Sequence, residues 1–257
     1  MTNPHGSFIW YELMSPDPEG SKAFYDAVVG WDIEPTSAGD LDYRMIRRQD
    51  GGNAGGVIRL TDEMRSHGAR PLWLGYVGVD DVDATVEAVK ARGGSVLMPP
   101  WTIEGVGRIA MVTDPSYNPF YVMRGAAEGA SSDVFSTDRP QHVSWNELGT
   151  ADPEGARRFY RELFGWSSDE FMPMGEQGEY RFLFHHGVRI GAMCGVMPGG
   201  TGGWRYYIRV PSIAAAIEAI NARGGKVSIG PHEVPGGDHI VIGVDPQGAE
   251  FALVGKQ

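Results

Sequence analysis

From Phe8 to Met14 the chain is rich in aromatic residues and ends at Ser-Pro-Asp-Pro, the pattern of a strand that stops where a helix begins. Asp17 is placed to cap that helix, with Pro18 in its first turn. Ala23, Phe24, Ala27 and Val28 share one helical face, and Gly30 supplies the stop. Trp31 to Pro35, Tyr43 to Arg48 and Gly55 to Leu60 read as three further strands separated by short polar or glycine-rich turns. After a polar loop, Thr61 to Arg70, the plan recurs. A strand over Leu72 to Val79 ends at the cap Asp80-Asp81, and Val82, Val86 and Val89 stripe a helix closed by Ala91-Arg-Gly-Gly. Strands follow at Ser95 to Met98, Arg108 to Thr113 and Pro119 to Arg124.

The same pattern is written again further on. Trp10-Tyr-Glu-Leu-Met-Ser-Pro-Asp-Pro-Glu-Gly returns as Trp145-Asn-Glu-Leu-Gly-Thr-Ala-Asp-Pro-Glu-Gly, with Phe159-Tyr160 and Gly165-Trp166 following as Phe24-Tyr25 and Gly30-Trp31 do, all offset by 135 positions. Such a period is too long for a solenoid and predicts a duplicated domain with its own core. The third module holds strands at His142 to Leu148, Tyr180 to His185 and Gly191 to Val196 and a helix near Glu154 to Phe164, and Pro198-Gly-Gly-Thr-Gly-Gly is a loop. In the last module Trp204, Gly225 and Asp245 follow Trp73, Gly94 and Asp114 by 131 positions. Ile213, Ile217 and Ile220 line its helix, and His239 to Val244 and Glu250 to Val254 are its closing strands. The expected division is a first domain over 1–126 (modules 1–60 and 71–126), a linker over 127–140 without hydrophobic periodicity, and a second domain over 141–257 (modules 141–197 and 204–257).

Composition narrows the function. The chain has 257 residues, 42% of them hydrophobic, enough for two cores. A net charge of -11 without a Lys/Arg cluster argues against nucleic acid. No apolar run reaches membrane-spanning length and the start lacks the regions of a signal peptide, so the expectation is a cytoplasmic protein with no membrane partner, a monomer or homodimer. The single cysteine, Cys194, excludes an intramolecular disulfide and reads as a small buried apolar residue. The glycine runs near Gly51 and Gly199 open no helix and therefore make no phosphate cradle.

Four strand-helix-strand-strand-strand modules in two pairs, with Phe24-Tyr25, Phe159-Tyr160, Gly30-Trp31, Gly165-Trp166, Asp114-Pro115 and Asp245-Pro246-Gln-Gly at matched spacing, resemble the vicinal oxygen chelate superfamily. That superfamily includes glyoxalase I, bleomycin and fosfomycin resistance proteins and extradiol dioxygenases. The resemblance covers nearly the whole chain. It implies an α+β fold in which each pair of βαβββ modules curls its sheet into a cup, whose floor holds a divalent metal through His and Glu in the catalytic members. The ligand positions it implies fall here on Trp10 and Trp145, on Leu74 and Arg205, and on Tyr121 and Ala252, none of which is the expected ligand. No cofactor is therefore expected, although a divalent metal remains compatible with the fold.

The cups instead offer a Trp-x-Glu pair each, because alternate residues of a strand share a face: Trp10 with Glu12, and Trp145 with Glu147. Tryptophan can stack on a flat ligand while the glutamate accepts a hydrogen bond or acts as a base; equally, the tryptophan can plug the cup and the glutamate bond to backbone or arginine. Tyr43, Trp73 and Tyr121 are expected to line the first cup with Trp10, and Arg205, Tyr207 and His239 the second with Trp145 and Glu147. Arg205 makes the second cup the more polar and hints at a negatively charged ligand. His185-His186 before Gly187 reads as a solvated hairpin turn. The leading reading is a protein that binds a small, partly aromatic molecule without the family's metal. Its rivals are a metal-dependent lyase, isomerase or dioxygenase using Glu12, Glu147, His239 and Glu250, and a non-catalytic scaffold that binds a partner.

Overall fold

The computed structural model describes residues 3–37, 41–127, 129–197 and 200–257; positions 198 and 199 of the expected glycine loop lie outside them. The first module comprises strand β1 (Phe8–Ser15), helix α1 (Pro18–Val29) and strands β2 (Asp32–Ile33), β3 (Tyr43–Arg47) and β4 (Asn53–Arg59). A short helix α2 (Asp62–Ser66) follows, then β5 (Leu72–Gly78), α3 (Val82–Ala91), β6 (Ser95–Ile103), β7 (Gly107–Thr113) and β8 (Pro119–Gly125). The third module is β9 (Val143–Thr150), α4 (Pro153–Phe164), β10 (Phe171–Pro173), β11 (Glu179–His185) and β12 (Val188–Gly195). The last is β13 (Gly203–Ser212), α5 (Ile213–Ala222), β14 (Lys226–Val234), β15 (Asp238–Val244) and β16 (Glu250–Lys256).

The strands form two open eight-stranded mixed sheets, ordered β2-β3-β4-β1-β5-β8-β7-β6 and β10-β11-β12-β9-β13-β16-β15-β14. This is the expected α+β architecture. In each module pair the first strand of one module neighbours the first strand of the other. Within a module the last strand runs parallel to the first, as in Glu12 beside Gly56 and Glu147 beside Ala192.

The helix boundaries follow from local chemistry. The Asp17, Asp81 and Asp152 carboxylates accept the backbone N–H of Gly20, Ala84 and Gly155 at 3.0, 3.0 and 2.9 Å, each cap worth about 1 kcal/mol. Gly30 and Gly165 close α1 and α4 at φ 80° and 70°, a left-handed conformation that glycine adopts without Cβ strain. The tryptophans that follow are anchored: Trp31 Nε1 donates to Gln141 O at 2.9 Å and Trp166 Nε1 to Gly6 O at 2.8 Å.

Four local expectations change. The stretch 61–70 holds α2, capped by Thr61, whose hydroxyl accepts from Met64 N. Strands β10 and β14, too short or too polar to stand out as apolar runs, complete the sheet edges. The segment 127–140 is tied down in part: Val134 is buried, Phe135 bridges to Val143, and Ser132 N donates to the Asn3 side chain. His185 is buried under the turn rather than solvated, its Nε2 2.9 Å from His5 O, and desolvation holds its pKa below the ordinary histidine value.

Packing groups the chain into two compact units: Met1–Trp10, Gly75–Ser132 and Trp145–Trp204 in one, Tyr11–Leu74, Asp133–Ser144 and Arg205–Gln257 in the other. In the first, α3 packs beside α4; in the second, α1 packs beside α5. Phe24 of α1 meets Phe251 at 5.4 Å between ring centres, both almost fully buried and each contributing on the order of 1.5–3 kcal/mol. Among the described residues no helix is long and apolar enough to cross a membrane.

Candidate functional site

The Trp-x-Glu strand of the third module carries a polar cluster on a sheet face. The ladder aligns Phe182, Ala192 and Glu147 in one row across β11, β12 and β9, so their side chains share a face with Tyr180 and Trp145, two positions away on their strands. Tyr180 Oη donates to Glu147 Oε2 at 2.7 Å, and Trp145 Nε1 donates to Tyr180 Oη at 2.8 Å. Indole, phenol and carboxylate thus form a directed donor chain. Phe182 meets the rings of Trp145 and Tyr180 edge-on at 6.1 and 5.9 Å, which fixes their planes. Ala192, the small residue beside Glu147, leaves the row open to the phenol.

The first module has the matching row Met45, Gly56 and Glu12 across β3, β4 and β1. Here the tyrosine comes closer to the sheet: a Cβ on Gly56 would fall 2.2 Å from Tyr43 Oη and 2.3 Å from its Cζ. Gly56 therefore accommodates the phenol of Tyr43 beside Glu12, which is 2% exposed, while Trp10 is only partly buried. Tyr180 is the residue that sequence reasoning missed. It stands two before Phe182 as Tyr43 stands two before Met45, but the longer connection ahead of it displaces the repeat by two positions and hides the match.

The remaining predicted residues separate. Trp73 turns toward α1, where its Nε1 donates to Tyr25 Oη at 3.0 Å and Tyr25 Oη donates to Asp245 Oδ2 at 3.0 Å. The counterpart is Trp204 to Tyr160 to Asp114, at 3.1 and 3.1 Å. The Asp-Pro motifs thereby acquire a structural role. Asp245 Oδ1 accepts the N–H groups of Gln247 and Ala249, and Asp114 Oδ1 those of Ser116 and Asn118, so each carboxylate closes a turn with one oxygen and anchors a helix tyrosine with the other. Burial raises the Asp245 pKa against its hydrogen bonds, and burial followed by the nearby Asp245 charge raises that of Tyr25 well above the phenol value.

Tyr121 stacks on Tyr76 at 4.2 Å and 16°. Tyr207 is buried in a row with Ala252 and Ile242, and Arg205 pairs with Glu250, Nε to Oε1 at 2.8 Å. The arginine that hinted at an anionic ligand already has a carboxylate. His239 pairs with Gly255 and Glu233, which puts it on the face of Val241 and Leu253, opposite to Tyr207 and Ala252. It does not join Arg205 and Tyr207 on the expected face. Cys194 is buried, as expected.

At the positions where the family resemblance implies metal ligands, Leu74 and Ala252 are wholly buried apolar residues, Tyr121 is stacked and Arg205 is ion-paired. Among the described residues the glutamates beside these positions are Glu12 in the first sheet and Glu147 and Glu250 in the second, the last held by Arg205. This donor set does not fit a transition metal, which takes about three N, O or S ligands from protein.

Comparison with known proteins places the chain among relatives of one kind. The profile of the Glyoxalase/Bleomycin resistance protein/Dioxygenase superfamily matches residues 7–121. The putative glyoxylase CFP32 of Mycobacterium tuberculosis is 32% identical over 253 residues, 95% of this chain and 93% of that one. The anthracycline biosynthesis protein DauV of Streptomyces sp. strain C5 is 30% identical over 265 residues, 97% of this chain and 93% of that one. Among solved structures, the Mn(II)-bound glyoxalase from Novosphingobium aromaticivorans superposes with a TM-score of 0.66 at 18% identity, over 100% of this chain and 83% of that one. The 2,3-dioxygenase LapB from Pseudomonas sp. KL28 gives 0.63 at 15% identity, over 99% and 93%. At these identities the structural likenesses speak for the fold.

Proposed function

The chain belongs to the glyoxalase/bleomycin resistance protein/dioxygenase superfamily, and from that premise we propose that it binds a small, partly aromatic molecule at the Trp145, Tyr180 and Glu147 cluster, without a metal at the family's position. The observation that carries this reading is the donor chain ending on Glu147. It holds the carboxylate in one orientation on a face where Trp145 and Phe182 present aromatic surface. A ligand that combines a flat ring with a phenol or amide N–H would stack on the indole and donate to the carboxylate. Relatives named for anthracycline biosynthesis support a flat, hydroxylated ligand over a small dicarbonyl. The rival metal-dependent lyase, isomerase or dioxygenase is weakened because His239 lies on the opposite face and Glu250 is taken by Arg205.

The test is calorimetric titration of the full chain with a hydroxylated anthraquinone. Binding is expected, and Glu147→Gln is expected to weaken it about tenfold or more, the worth of a hydrogen bond to a charged group, with the melting temperature nearly unchanged. Absence of binding across a panel of planar phenols, or affinity indifferent to Glu147→Gln, sinks the reading.

A further inference from the structure

A second cluster of polar side chains includes none of the Trp-x-Glu residues. Asp50 in the turn between β3 and β4, Asp133, and His142 just before β9 bring a carboxylate oxygen, a second carboxylate oxygen and an imidazole nitrogen within 4.8 Å of one another. His142 is the informative member, because its side chain is 1% exposed. Its Nδ1 lies 2.7 Å from Pro140 O, a carbonyl that can only accept, so Nδ1 carries the hydrogen. Nε2 is buried, has no hydrogen-bond partner among the described residues, and faces Asp50 Oδ2 at 3.9 Å, too far for a hydrogen bond in either direction. A buried nitrogen left in this state has lost its water without gaining a partner.

The carboxylates are oriented from behind. Arg48, whose side chain is 1% exposed, donates from Nε to Asp50 Oδ1 at 3.0 Å and from Nη2 to Asp133 Oδ2 at 2.7 Å, which leaves Asp50 Oδ2 turned toward the imidazole. Arg139 stands near both carboxylates, at 4.0 Å from Asp50 and 3.7 Å from Asp133, beyond hydrogen-bonding distance and half exposed. Asp50 itself is 44% exposed, so the gap is open to solutes.

We propose that Asp50, Asp133 and His142 form a binding site for a divalent cation of the zinc type, which staples the β3–β4 turn to the segments on either side of residue 140. Metal–ligand bonds of about 2.0–2.1 Å at a tetrahedral angle span roughly 3.4 Å, so the ion would draw Nε2 and Oδ2 together from their 3.9 Å separation. One imidazole with two carboxylates suits a borderline ion better than Mg²⁺ or Ca²⁺, which take oxygen ligands throughout. Arg48 opposes the ion by its charge but fixes the ligands, and Arg139 is the side chain that the ion displaces.

The test uses untagged full-length protein, stripped with chelator and dialysed against ZnCl₂, with zinc measured by elemental mass spectrometry and thermal stability followed in parallel. About one equivalent per chain is expected, with a higher melting temperature than the stripped protein. Asp50→Asn, which keeps an oxygen to accept from Arg48 Nε and the Gly52 N–H, should weaken binding by more than about tenfold and abolish the thermal gain, as should Asp133→Asn. Arg139→Ala should bind as tightly or more tightly. No uptake by the wild-type chain, or uptake that survives Asp50→Asn and Asp133→Asn together, overturns the assignment. So does uptake lost instead on Glu147→Gln, which would move the ion to the other cluster.

Discussion

Three donor chains of indole, phenol and carboxylate stand out among the described residues, and they serve two ends. In Trp73, Tyr25 and Asp245, and again in Trp204, Tyr160 and Asp114, the tyrosine comes from a helix and is at most 1% exposed. The aspartate's other oxygen is spent on a turn, so the whole chain is a strut between helix and sheet. In Trp145, Tyr180 and Glu147 all three residues sit on strands, and the indole and phenol are only partly buried. The residue types and distances are nearly the same. Solvent access at the phenol separates them, because a fully buried tyrosine has no water to replace its bonds, whereas the partly exposed Tyr180 can exchange one for a ligand's.

The comparison can be broken by deleting the phenol oxygen in each setting. Tyr25→Phe strands the Trp73 N–H and Asp245 Oδ2 in the core, whereas Tyr160→Phe leaves the partly exposed Trp204 N–H within reach of water and Asp114 Oδ2 still bonded to Asn118 Nδ2 at 2.8 Å. Tyr25→Phe is expected to lower unfolding free energy by about 2–3 kcal/mol in urea titrations, and Tyr160→Phe by about 1–2 kcal/mol.

Next in size is an effect of alkali. The raised pKa of Tyr25 means that the folded chain keeps a proton which the unfolded chain releases near pH 10. Stability from this group is therefore complete below the unfolded value and is lost as pH rises toward the folded one. The loss runs at up to about 1.4 kcal/mol per pH unit, and Tyr25→Phe should make the alkaline limb shallower by that one proton. An unchanged slope would mean that water reaches the phenol, and the strut would then be no drier than the site.

The smallest expected change in stability is that of Tyr180→Phe, under about 1 kcal/mol, because water can take the vacated place beside Glu147 and Trp145. The same variant should weaken anthraquinone binding by releasing the carboxylate. Should Tyr180→Phe cost as much stability as Tyr25→Phe and leave binding alone, the third chain is a strut as well.

Much of the fold was legible from local signals. Asp17, Asp81 and Asp152 cap where their spacing predicts, Gly30 and Gly165 stop their helices, and the repeated Phe-Tyr and Gly-Trp pairs mark equivalent helices. The candidate site was legible in part. Alternation along β9 put Trp145 and Glu147 on one face, but Tyr180 escaped because a longer connection shifted its place in the repeat.

What the chain determined by itself was whatever depends on neighbours a few residues apart: caps, stops, strand alternation and the count of modules. What only the tertiary structure decided was which face of each strand meets a helix. Trp73 and His239 have the residue type and the strand for a site, yet the sheet register and the position of α1 turn Trp73 to a helix tyrosine and set His239 opposite to Tyr207. Asp50 lies far along the chain from Asp133 and His142 and shares no motif with them, so their meeting appears only when the β3–β4 turn folds against the stretch around residue 140. The physical reason is the same in each case. A strand's period of two defines two faces but says nothing of what covers either, and long-range contacts leave no spacing to read.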